Sequence, residues 1–99
     1  MKLYRAISHA EYESLQSEGL FQEGPNSMSG KWFAESLEHA HAWGKHMTFD
    51  PSYVVVELLL EDDVARDLFR IEFLDGIGPA RYAEIDQLTS ATILDYHNV

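Results

Sequence analysis

The chain reads as an α+β domain: a compact mixed or antiparallel sheet carrying two main helices. Short strand-like runs alternate with helical ones, and the strand-like runs gather toward the end of the chain. The strongest of them, Tyr53 to Leu60, is β-branched and almost continuously apolar, as expected of a strand covered on both faces. Ninety-nine residues, 45% of them hydrophobic and 12% aromatic, suit a single domain, 1–99, with a small core.

Lys2 to Ile7 alternates as a first strand, with Leu3, Arg5 and Ile7 on one face and Tyr4 and Ala6 on the other. An arginine between two aliphatics must pair with an acid or emerge at an edge or cleft, because a buried unpaired charge is costly. Ser8-His9-Ala10-Glu11 fits the S-x-x-E capping box and opens a helix to about Ser17. Tyr12 and Leu15 are its apolar positions, and Gly19 ends it. Leu20 to Gly30, dense in Gly, Pro, Asn and Ser, reads as a long loop.

Gly30 to Gly44 reads as an aromatic strand turning into a helix. Ser36 is its N-cap, Glu38 complements the dipole of the first turn, and Leu37, Ala40 and Trp43 form a buried face. Gly44 is read as the C′ residue. Lys45 to Ser52 is a second loop, with a turn at Asp50-Pro51. After the Tyr53–Leu60 strand, Glu61 to Asp67 is a short helix with acids in its first turn. Leu68 to Phe73 is a strand or an extended segment, and Asp75 to Ala80 is a sharp loop. Two short strands close the chain, Tyr82 to Leu88 and Ala91 to Tyr96.

Composition narrows the function. The formal charge is −10, with only seven Lys plus Arg, which argues against nucleic-acid binding because basic side chains supply that affinity. The same charge suits a basic protein partner. With no cysteine, disulfide and thiol chemistry are excluded and the chain suits a reducing cytoplasm. No charged segment followed by an apolar one opens the sequence, which argues against a signal peptide. The longest apolar run is too short to cross a bilayer, so no membrane role is expected.

The five histidines show no metal-ligand spacing, and His39 and His41 point apart on a helix, so they read as surface residues and no metal is expected. Gly76-Ile77-Gly78 lacks the context of a phosphate-binding loop. There is no nucleophile elbow, and capping explains Ser36 more simply than a dyad with His39 does. What remains is a dispersed set: Arg5 on the first strand, Ser36 after the second, and Glu84 near the end. Each has a simple structural account on its own.

As a set, with their flanking residues, they resemble the ADP-ribosyltransferase-like fold, in particular the small catalytic domains of bacterial polymorphic toxins. The matching segments are Leu3-Tyr4-Arg5, Glu18-Gly19-Leu20-Phe21, Trp32-Phe33-Ala34-Glu35-Ser36 with Glu38, Ala40, Trp43 and Gly44, and Ala83-Glu84-Ile85. The resemblance implies an NAD-dependent enzyme that cleaves the nicotinamide glycosidic bond and passes ADP-ribose to a macromolecular acceptor. It implies Arg5 on an NAD phosphate or ribose, Ser36 on the nicotinamide ribose, Tyr4, Trp32 and Phe33 about the cofactor, and Glu84 as the catalytic acid. The position two residues before that acid, usually a second acid or a glutamine, is Tyr82, with Gln87 or Glu72 as replacements. The competing expectation from charge is a small acidic binding protein, such as an immunity protein or an inhibitor of a basic toxin, without catalysis.

Overall fold

The computed structural model describes residues 1–18, 30–47, 49 and 52–98. Its elements run β1 (Lys2–Ile7), α1 (His9–Glu18), β2 (Gly30–Ala34), α2 (Leu37–His46), β3 (Val54–Leu59), α3 (Asp62–Asp67), β4 (Phe69–Leu74), β5 (Gly78–Glu84), a 3-10 turn (Ile85–Leu88) and β6 (Thr92–Asn98). The fold is α+β. Its strands form one six-stranded sheet in the order β4-β5-β2-β1-β3-β6, and every pairing is antiparallel. The expected loop from Leu20, the helix stop at Gly19 and the Asp50-Pro51 turn lie outside the described residues.

Strand alternation divides the core in two. On one face Leu3, Ile7, Phe33, Val54, Val56 and Leu58 pack with Leu15 of α1, Ala65 of α3 and Leu88 of the 3-10 turn. On the other face Ala6, Ala34 and Val55 pack beneath α2 with Ala40 and Tyr53. The three valines of β3 are fully buried between these layers, which accounts for the unbroken apolar run.

The pairing is uneven. β1 and β3 register over six residue pairs, from Lys2↔Leu59 to Ile7↔Val54, and β2 and β5 over five. Between β1 and β2 the register holds at one pair, Tyr4↔Ala34. The sheet is therefore two halves, β4-β5-β2 and β1-β3-β6, meeting at a narrow seam.

Three sequence expectations need correction. Gly44 lies inside α2, which continues to a cap at Met47, whose amide donates to the Trp43 carbonyl at 2.9 Å. It is glycine because the Tyr53 ring lies directly on it, where a Cβ would collide. The Asp75–Ala80 loop is shorter than expected. Asp75 and Gly76 both take positive φ, 52° and 74°, and this tight reversal frees Gly78 to begin β5, with a bulge between Ile71 and Leu74 accommodating Pro79. The Tyr82–Leu88 strand stops at Glu84, which starts the 3-10 turn through a reciprocal capping box. The Glu84 carboxylate accepts from the Gln87 amide, and Gln87 Oε1 accepts from the Glu84 amide at 2.9 Å.

Replacing glycine by alanine inside a helix ordinarily stabilises by about 1 kcal/mol. Here Tyr53 is buried and its hydroxyl donates to the His41 carbonyl at 3.3 Å, so its ring cannot yield without breaking that bond. Urea unfolding of Gly44→Ala is expected to show destabilisation of about 1–3 kcal/mol. A stabilised variant would show that the ring moves freely.

Candidate functional site

Arg5 and the loosely paired seam are coupled. The Arg5 side chain leaves β1 on the α1 side, where Nε and Nη2 donate to the two carboxylate oxygens of Glu11 at 3.0 and 3.2 Å. Its third arm, Nη1, donates to the backbone carbonyl of Trp32 on β2 at 3.1 Å. One planar guanidinium thus ties α1, β1 and β2 together, which a lysine's point charge could not do. Glu11 is placed by the start of α1, where its amide donates to Ser8 Oγ at 3.1 Å. The arginine expected to pair with an acid or emerge at an edge or cleft pairs with an acid.

On the opposite face of the same seam lies a cavity of about 90 Å³. Its floor is small because alanines meet there: Ala6, Ala34 and Ala80 from the sheet and Ala40 from α2. Its walls are large, with Tyr4 and Trp32 from the sheet, Trp43 from α2 and Met47 from the cap of that helix. A helix crossing alanines while bulky rings stand at the rim leaves a flat, largely apolar slot. Arg5 and Phe33 also border it, but alternation sends their side chains to the other face, where the Phe33 ring is fully buried in the larger core.

The remaining expected residues lie around the slot. Ser36 caps α2, its Oγ accepting from the His39 amide at 3.2 Å, and is not among the lining residues. Glu84 does not line the slot either, but it stands on the slot's face of the sheet. Register pairs Trp32 with Tyr82 and Gly30 with Glu84, so Ala80, Tyr82 and Glu84 share the face of Ala34 and Trp32. Gln87 is committed to the Glu84 cap.

Sequence reasoning passed over Trp43 and Met47 as walls, although the helical spacing of Trp43 from Ala40 was visible. It also passed over Tyr82 and Phe69, whose rings extend the Trp32 wall outward. Trp32 stands 5.2 Å from Tyr82 and 6.1 Å from Phe69, centroid to centroid.

A second network braces the β4-β5-β2 half on the α1 side. Glu35 Oε2 accepts from Arg70 Nε and from Arg81 Nε, each at 2.7 Å, and Arg81 Nη1 donates to the Ala65 carbonyl at 2.7 Å. The Arg70 hydrogen bond, with Arg81 adding to it against the cost of burial, holds the Glu35 carboxyl below the ordinary glutamate value of 4.5.

Four of the five histidines, His9, His39, His41 and His97, depart from the surface expectation by being half-buried. His39 packs against Gly78, His41 Nδ1 lies 3.1 Å from the Tyr53 hydroxyl, and His97 Nε2 lies 2.9 Å from Glu57 Oε1. Among the described residues, no group of three or more His, Asp or Glu side chains is arranged to hold a metal.

Comparison with protein-family models, with curated proteins and with solved structures finds no match to this chain.

Two expected outcomes follow from these networks. In a double-mutant cycle on Arg5→Ala and Glu11→Ala, followed by urea unfolding, the coupling should be about 1–3 kcal/mol; additive single effects would mean the fork contributes nothing. The stability from Glu35 is complete above pH 4.5 and is lost as pH falls through its depressed folded value. A Glu35→Gln variant should therefore lose less stability than the parent on acidification below that point. Parallel curves would contradict the assignment.

Proposed function

We propose that this domain is an ADP-ribosyltransferase-like enzyme that takes NAD as substrate, with the slot receiving the nicotinamide ring. The observation that carries the reading is the slot at the seam, walled by Tyr4, Trp32 and Trp43, on the same sheet face as Glu84. Its volume is well below the roughly 300 Å³ of a whole-ligand pocket. It suits one flat ring, with the ribose and phosphates lying outside.

In this reading nicotinamide enters edge-first between the rings, leaving its bond to the ribose at the mouth. That bond breaks with its electron pair leaving on nicotinamide, and positive charge develops on the sugar. The Glu84 carboxylate stabilises the charge and accepts a hydrogen bond from the ribose 2′-hydroxyl. A nucleophile on a macromolecular acceptor then bonds to the anomeric carbon and gives up its proton. The capping box holds Glu84 in place beforehand, and such pre-organisation is what makes electrostatic stabilisation effective.

Arg5 and Ser36 act here as positioning residues. Arg5 sets the seam through the Trp32 carbonyl, and Ser36 sets the start of the helix that carries Trp43. The chain's charge of −10 weakens attraction of anionic NAD, so binding in the millimolar range is expected. Among the described residues, no helix is long and apolar enough to cross a membrane. The cysteine-free sequence fits action in the cytoplasm, as expected of a bacterial toxin or effector domain.

Nicotinamide release from millimolar NAD, with and without cell lysate, tests the proposal. The parent should release nicotinamide, and Glu84→Gln should reduce the rate by roughly 100-fold or more. No release in either setting, with no shift of the melting temperature by NAD, would remove the reading.

A further inference from the structure

Beyond the slot, the rings of Trp32, Tyr82 and Phe69 continue as a shelf across β2, β5 and β4, ending at a sheet edge. Phe69 is 63% exposed. Exposed aromatics on an edge strand invite unwanted association and are commonly guarded by lysine or proline. Among the described residues of these strands, no such guard stands on this face. Alternation places Lys31, Arg70 and Arg81 on the opposite side, with both arginines tied to Glu35. The shelf face of these three strands bears Glu84 and no Lys or Arg.

We propose that this shelf is a docking seat for an arginine-bearing segment of a basic partner protein. A guanidinium is planar, weakly hydrated and attracted to the faces of aromatic rings, and Tyr82 and Trp32 are the stronger ring types for that contact. The chain's excess of seventeen acidic over seven basic residues draws such a partner in and makes the approach salt-dependent. It also repels a second copy of this chain and a nucleic acid. The proposal rests on the shelf and its charge, not on the catalytic reading.

The test uses a fluorescently labelled peptide of alternating arginine and glycine, titrated with the protein in the absence of NAD and followed by anisotropy at low and moderate salt. Phe69→Ser removes the exposed end of the shelf without touching the core. Leu94→Ser, at an exposed apolar residue on β6 at the opposite edge, is the control. The parent and the Leu94 variant should bind alike, and the Phe69 variant roughly tenfold more weakly. Equal binding by all three proteins would mean diffuse charge attraction and would overturn the proposal. So would no binding by the parent, or a parent dimer that the Phe69 substitution dissolves.

Discussion

The arrangement depends on one guanidinium. Where β1 meets β2 the sheet keeps a single register pair, and Arg5 supplies a bond that the ladder omits by donating to the Trp32 carbonyl while gripping Glu11 with its other two arms. Loosening a ladder normally leaves backbone groups unsatisfied, which is costly in a partly buried setting. A charged fork satisfies the carbonyl and attaches the seam to α1. The opening on the far face can then persist without unravelling the sheet.

The two faces divide the work. The α1 face holds the larger aliphatic core, which draws on strands of both halves, and the Glu35–Arg70–Arg81 brace of the β4-β5-β2 half. The α2 face is built from alanines beneath a helix, which leaves space, with aromatic rings around that space. Tyr53 packs against Gly44 and so sets how closely α2 approaches the sheet. Slot depth and helix packing are thus one problem, solved by pairing the smallest residue with a large ring. The open hairpin half then carries the aromatic wall outward into solvent.

Much of this was legible in the sequence because the signals are local. Leu3-Arg5-Ile7 on one face demanded a charged partner, and the S-x-x-E pattern placed Glu11 at the head of α1. Ser36 announced its own cap. The misreadings arose where a residue's role depends on a distant element. Gly44 looked like a helix stop because nothing near it in sequence reveals the Tyr53 ring. The strand was extended past Glu84 because the apolar pattern outweighed the Glu84-x-x-Gln87 cap. Trp32 and Phe33 were both assigned to one pocket, yet adjacent strand residues face opposite ways, so only one ring could serve. Four alanines are conspicuous in the sequence, but their convergence into a floor follows from topology alone.

Since the chain has two tryptophans and both line the slot, their indole N–H signals report on it directly. In a two-dimensional nitrogen–proton spectrum titrated with NAD and with nicotinamide alone, both signals should shift and saturate with either ligand, while signals from β6 stay still. Two unmoved indole signals at saturating concentrations of both ligands would contradict the central claim that this slot receives the nicotinamide ring.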